Sequence, residues 1–204
     1  MGLYARVVLP RLIDFSMRSA QLVPYRARAL SQARGRVLEI GIGPGHNLLH
    51  YPDGVDTVIG IDPSPELLRR ARMRAAAVRF TVDLVHGSAE ELPLGNASVD
   101  FVVTTLTLCS ISDVTRALRE IRRVLKPDGT LLFVEHGWSP DAGVQAWQDR
   151  ITPIWRRIAG GCHLNRRIDR LVEASGFRIA EMSTGYAKGP RPMVYMYEGV
   201  ARLK

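Results

Sequence analysis

Apolar positions along the chain gather into short runs separated by helix-length amphipathic stretches. RVLEIGI (36–42), TVIGID (57–62), RFTVDLVHG (79–87), VDFVVTTL (99–106) and TLLFVEH (130–136) read as buried strands. Between them, ELLRRARMRAAA (66–77) sets Leu67, Leu68, Ala71 and Ala75 opposite a charged face. In DVTRALREIRRVLK (113–126), Val114, Ala117, Leu118, Ile121, Val124 and Leu125 repeat at helical spacing. Ser112 or Asp113 can cap that helix, and Pro127-Asp128-Gly129 is expected to end it and turn into the next strand. Further on, a helix around Arg166–Ala174 stops at Gly176, and FRIAEMS (177–183) and MVYMYEGVARL (193–203) read as an antiparallel closing pair. Buried strands alternating with helices require parallel strands joined by right-handed crossovers. The expected fold is a doubly wound, Rossmann-like α/β sheet of seven strands, mainly parallel with an antiparallel last strand and helices on both faces.

Composition narrows this to one globular domain. The chain has 204 residues, 46% hydrophobic and 24% charged, which excludes a disordered or fibrous protein. No apolar run approaches the roughly 18 residues that span a bilayer, and the start lacks the form of a signal peptide. Two cysteines, Cys109 and Cys162, cannot make a disulfide framework, so a reducing cytoplasm is expected. Charge is segregated. Residues 1–36 hold seven arginines against Asp14 alone, residues 37–149 are net acidic, and residues 150–204 are net basic, within a total of +8. Basic flanks suit either solvated helix faces or contact with an anionic membrane, such as the inner face of the cell membrane. Nucleic acid is not expected, because no basic-aromatic stacking motif is present.

The chemistry concentrates where VLEI runs into Gly41-Ile42-Gly43-Pro44-Gly45 and a short helix expected to begin near His46-Asn47. Glycines there allow close backbone approach to a ligand over the carboxyl ends of the strands. A dinucleotide site would want a third glycine where His46 stands. Glu39 beside the loop would repel a pyrophosphate yet attract an ammonium or sulfonium. Asp62, ending the second strand, can accept from both hydroxyls of a ribose. Acid, glycine loop and acid make a site for a cationic amino-acid nucleoside, a description that S-adenosylmethionine fits.

VLEIGIGPG, GIDPSPELLRRA, GSAEELPLGNASVDFVV and LREIRRVLKPDGTLLFVEHG, in that order, resemble the motif series of class I S-adenosylmethionine-dependent methyltransferases, in the branch typified by ubiquinone/menaquinone methyltransferases. The resemblance implies that Glu39, Gly41, Gly43, Gly45 and Asn47 shape the methionine end of the pocket. It implies that Asp62 and Pro63 flank the ribose, that Ser88, Ala89 and Glu90 lie on the adenine edge, and that Thr105 and Leu106 face the reactive side. Ser88 stands where many relatives carry Asp. TLTLCSISD (105–113), VEHG (134–137), WQDRITPIWRRIAGGCHLNR (147–166) and RPMVYMYEG (191–199) are similar to the methyltransferase-like seven branch, whose animal members are membrane-associated thiol S-methyltransferases. That narrower resemblance implies a small apolar acceptor, a thiol first, with S-adenosylhomocysteine as the other product. N- or O-methylation of a lipid headgroup, quinone or other small metabolite is the alternative, and a catalytically silent cofactor-binding protein is the alternative of another class.

Outside the cofactor motifs the residues leave choices open. His136, at the carboxyl end of the fifth strand, is the candidate base or substrate orienter, or a structural histidine. Glu135 points to the other face, as adjacent strand residues must. Cys109 and Cys162 are read as a redox pair, a substrate relay or small half-buried residues near the acceptor. Their separation of 53 positions with no CxxC argues against zinc, and no metal is expected. Cys109 joins His136 as a candidate catalytic residue, and Cys162 and His163 as candidate acceptor contacts. Trp138, Trp147 and Trp155 fall in a helical insert (137–165) that would cover the acceptor pocket or simply pack. Residues 1–35, where Leu3, Val7, Val8, Ile13 and Phe15 alternate with arginines, form either a helical lid over the cofactor or a membrane-contact segment.

Overall fold

The computed structural model describes residues 4–204; Leu3, in the N-terminal apolar set, lies outside them. Seven strands form one sheet: β1 (Gly35–Ile40), β2 (Val55–Asp62), β3 (Thr81–His86), β4 (Val99–Thr105), β5 (Leu125–His136), β6 (Phe177–Tyr186) and β7 (Tyr195–Leu203). Their spatial order is β3-β2-β1-β4-β5-β7-β6. The first five pair in parallel, and β7 runs against both β5 and β6, as expected for a mainly parallel sheet with an antiparallel last strand.

Strand alternation divides the core in two. Leu38, Ile40, Ile59, Ile61, Val102 and Phe133 pack on one face beneath α4 (Val114–Val124) and α6 (Ile168–Ala174). Val37, Val58, Phe101, Val103 and Leu132 pack on the other, against Leu30 of α2 (Val23–Leu30) and Leu68 of α3 (Pro65–Ala75). Both faces of these strands are therefore apolar, which is why they read as continuous runs rather than alternating ones. Helix α4 buries Val114, Ala117, Leu118, Ile121 and Val124 and is capped by Asp113, whose Oδ1 accepts the Arg116 N–H at 2.9 Å. The remaining helices are α1 (Leu9–Met17) and α5 (Ala142–Ile158).

Two local expectations are corrected. Leu125 does not extend α4; it pairs with Val99 as the first residue of β5, and Pro127-Asp128-Gly129 lies inside that strand at a register shift, because Phe101 pairs next with Thr130. The helix expected at His46-Asn47 is a single tight turn over Leu48–His50. Tyr51, held extended before Pro52, stops it there. The order reversal of the sheet falls between β1 and β4, so the loop after β1 opens onto the crevice where ligands bind in this architecture.

Candidate active site

The loop after β1 is shaped by two glycines with different duties. Gly41 has φ +66°, and a Cβ there would stand 2.4 Å from the Thr107 side chain, so the loop after β4 packs directly on its backbone. Gly43 has φ +55°, and a Cβ would meet nothing nearer than the Gly41 carbonyl at 3.8 Å; its open side is the cavity. Gly45 packs on Ala71 of α3 and is not in the cavity wall.

Asp62, at the end of β2, is buried and ties this loop to the next. Its Oδ2 accepts the Gly43 N–H at 3.0 Å and its Oδ1 the Ser64 N–H at 2.8 Å. Burial pushes its pKa up, while those two N–H groups pull it back. Glu39, only 2% exposed, has a pKa raised to about 7 by burial, against the pull of hydrogen bonds from Tyr51 (2.8 Å) and Asn47 (3.0 Å). Asn47 also donates to Thr105 Oγ1 and accepts from the buried Arg26 Nε at 2.9 Å. A connected chain thus runs from α2 through the glycine loop to β1.

These groups line a cavity of about 2120 Å³ over the carboxyl ends of the strands. Glu39, Gly41, Gly43, Asn47, Asp62, Pro63, Ser88, Ala89, Glu90, Thr105 and Leu106 all lie in its wall. Glu90 uses Oε1 to accept the Asp113 N–H at 2.9 Å, which fixes its loop to the start of α4. Leu106 has φ +53°, a rare conformation for a branched side chain, and costs on the order of 1 kcal/mol. It is held there by its N–H on Val134 O and by Glu135, whose carboxylate accepts the next N–H, that of Thr107. Glu135 is fully buried; burial raises its pKa and the Thr107 N–H opposes the shift.

The far end of the same cavity brings together Cys109, His136 and Cys162. His136 Nε2 stands 3.2 Å from Cys162 Sγ, and its Nδ1 is buried with no partner among the described residues. The Cys109 thiol and burial together push the Cys162 thiol well above its ordinary range. For His136, burial disfavours the cation, but the Cys162 contact and the Glu135 carboxylate outweigh it and raise the pKa. The 53-position separation of the cysteines is closed by folding: the His163 N–H donates to Cys109 O at 2.8 Å. His163 itself lies outside the wall, its Nδ1 on the same carbonyl.

Of the three tryptophans only Trp155 lines the cavity, with its indole N–H buried and without a partner among the described residues. Trp138 is instead stacked under the Arg167 guanidinium at 4.0 Å, and Trp147 is mostly exposed on a separate surface dimple. The N-terminal segment supplies Leu9, Leu12, Ile13, Phe15, Met17 and Leu22 to the wall. Its anchor is Asp14, a residue the sequence reading passed over. Asp14 is buried and paired with Arg18, Arg70, Arg74 and His46, which hold its carboxyl far below the usual range despite burial. A lone acid in an arginine-rich segment was the available signal. Tyr51, Arg26 and Thr107 were also missed, and they carry no motif.

The sequence matches the methyltransferase-domain family over residues 38–133. A thiol S-methyltransferase of Rattus norvegicus is 36% identical over 151 residues, 72% of this chain and 61% of that protein. A thiol S-methyltransferase of Homo sapiens is 32% identical over 178 residues, 84% of this chain and 71% of its own length. Among solved structures, the YcgJ protein of Bacillus subtilis superposes with a TM-score of 0.69 at 21% identity, over 90% of this chain and 97% of that one. A SAM-dependent methyltransferase from Aquifex aeolicus gives 0.68 at 17%, over 96% and 98%. The two structures share the fold; the sequence relatives, the ordered motifs and the glycine loop between two buried acids go further, and place the chain among the class I S-adenosylmethionine-dependent methyltransferases.

Proposed function

We propose that the protein moves the methyl group of S-adenosylmethionine to the sulfur of a small apolar thiol. The observation that carries this reading is the make-up of the cavity. One end is a glycine cradle between buried Glu39 and Asp62, and the other presents Cys109, His136 and Cys162, with the nearby carboxylate of Glu135 already spent on Thr107. The open side of Gly43 and the incompletely compensated Glu39 suit a cationic nucleoside.

When bound, S-adenosylmethionine supplies an electrophilic methyl carbon on a sulfonium. The residues of this chain have the remaining tasks. Asp62 accepts from the ribose hydroxyls, the loop at Ser88–Glu90 borders the adenine, and Glu39 offers negative charge behind the glycine loop. Thr105 and Leu106, on a strained turn, border the reacting atoms, so alignment is built into the backbone. Residues 1–35 act as a lid latched by Asp14, and residues 137–165 cover the acceptor end, with Trp155 as the contributing aromatic. Water exclusion and alignment suffice for a thiol, part of which is thiolate near neutral pH, whereas an amine or phenol would need a free base. His136, engaged with Cys162, borders the acceptor sulfur and orients it. The names of the rat and human relatives support sulfur as the acceptor atom.

The test is release of S-adenosylhomocysteine with a panel of alkyl thiols, phenols, amines and phospholipid. Turnover confined to thiols is expected. Turnover on phenol, amine or lipid alone would overturn the acceptor while keeping the cofactor. Tight cofactor binding with no turnover on any member would point to a silent binder.

The lid has a second use in this reading. No described helix is long and apolar enough to cross a membrane. Yet Leu12 and Phe15 of α1 and Ile154 and Ile158 of α5 are exposed, Tyr4 donates to Ile158 O, and the segment is rich in arginine. Peripheral contact with an anionic membrane face in the cytoplasm follows, and Phe15→Asp should abolish co-sedimentation with anionic vesicles. Unchanged sedimentation would refute it.

A further inference from the structure

We propose that Cys109, His136 and Cys162 form a three-ligand site for a thiophilic divalent cation of the zinc class, with its fourth coordination position open to the cavity. The two thiol sulfurs and one ring nitrogen of His136 lie within 4.8 Å of one another, and all three residues are buried. Two sulfurs with one imidazole are a donor set that selects zinc over the hard cations, and three protein ligands plus one open position is the form of catalytic rather than structural zinc. Around a tetrahedral ion with Zn–S and Zn–N bonds of about 2.0–2.3 Å, ligand atoms stand roughly 3.5–3.8 Å apart. The Nε2–Sγ separation of 3.2 Å is already close to that spacing.

The grouping does not rest on three long side chains happening to meet. His136 ends β5, in the middle of the sheet. Cys109 sits in the turn after β4, which Glu135 grips through the Thr107 N–H. Cys162 follows the Gly160-Gly161 turn, where both residues have positive φ and the Gly161 N–H returns to Arg156 O. The two cysteine segments are stapled together by the His163 N–H on Cys109 O and by the Arg166 guanidinium on Leu108 O and Ile111 O. Charge also closes: two thiolates, a neutral imidazole and a dication sum to zero, the condition under which burial tolerates them.

The open position faces the cavity that all three residues line. Its use rests on the thiol reading above. An ion held by Cys109, His136 and Cys162 would offer its open position to the acceptor sulfur and would favour loss of the S–H proton to solvent, leaving a sulfur lone pair for the methyl carbon. The new S–C bond forms as the sulfonium C–S bond breaks, leaving a thioether and S-adenosylhomocysteine. His136 then serves as ligand rather than free base.

The experiment uses the full chain, reduced and stripped of metal, titrated with Co2+ and then competed with Zn2+, with no methyl donor or acceptor present. One ion per chain is expected, with a thiolate-to-cobalt charge-transfer band and the intense visible bands of tetrahedral cobalt. Cys109→Ser and Cys162→Ser should each weaken the charge-transfer band and lower affinity, with S-adenosylhomocysteine binding retained as the check on folding. No charge-transfer band in the reduced wild-type chain would overturn the proposal, as would an unaltered band in either variant that still binds S-adenosylhomocysteine. An alkyl thiol added to the cobalt-loaded chain should shift the visible bands; unshifted bands would refute the open position. None of these readouts needs turnover, so failure of the thiol reading would show separately, as absent methyl transfer in a chain that still holds metal.

Discussion

At the glycine-loop end of the cavity every acid is tied down: Asp62 by two backbone N–H groups, Glu39 by Tyr51 and Asn47, and Asn47 in turn by Arg26. At the far end the donors are sulfur and imidazole, and two buried nitrogens, His136 Nδ1 and Trp155 Nε1, have no partner among the described residues. The first arrangement is preorganised for one charged, strongly polar ligand, and it pays for that with buried carboxylates. The second asks little of a ligand in hydrogen bonds and selects by softness and shape. A methyl donor that never changes and an acceptor that is small and apolar call for this division.

The largest effect is expected at Asp62. Asp62→Ala removes the proposed ribose acceptor and releases Gly43 and Ser64 together, and each hydrogen bond to a charged group is worth about 1.5–3 kcal/mol. S-adenosylhomocysteine affinity measured by calorimetry should fall about 100-fold or more on this basis. Normal affinity would remove Asp62 from the site. The glycines sharpen the contrast between shaping a wall and facing a ligand. Gly41→Ala drives a Cβ into Thr107 at positive φ and should destabilise the fold by about 2–4 kcal/mol, visible as a lowered Tm. Gly43→Ala meets open space, so its cost to stability should be about 1 kcal/mol, with cofactor affinity falling about ten-fold. Equal losses of stability in the two variants would contradict the assignment of their roles.

How much of this could be read along the chain depends on how local the interactions are. Glu39, the glycine loop and Asp62 belong to one contiguous strand-loop-strand unit, so their spacing carried the chemistry. The Cys109–His136–Cys162 group comes from the end of β5 and two separate turns, and the linear distance between the cysteines hid their proximity, which the sheet and the His163–Cys109 staple create. Asp14 is of the same kind, since its partners Arg70 and Arg74 lie on α3. Leu125 misled for the opposite reason: it fits the helical spacing of α4, but pairing with Val99 wins over the local pattern. Trp147 followed its sequence neighbours into a predicted acceptor wall, whereas the exposed face of α5 carries it outward.

A smaller effect separates charge from shape at Glu39. Its pKa is about 7 in the folded chain against an ordinary 4.5, so the folded state keeps a proton that the unfolded chain has lost. Stability relative to Glu39→Gln should therefore fall as pH rises from about 4.5 to about 7. A cationic ligand favours the anion, so S-adenosylmethionine affinity in the wild type should rise by a few-fold, up to about ten-fold, as pH passes 7. S-adenosylhomocysteine, without the sulfonium, should show a weaker trend, and Glu39→Gln none. The same slope in the variant would place the titrating group elsewhere.

The division between the two ends is tested most directly by His136→Ala, with S-adenosylhomocysteine affinity and thiol-dependent turnover measured on the same preparation. The predicted result is affinity within about three-fold of the wild type, because His136 lies at the acceptor end, with turnover reduced about 100-fold or more. Affinity and turnover falling together, or turnover unchanged, would contradict it.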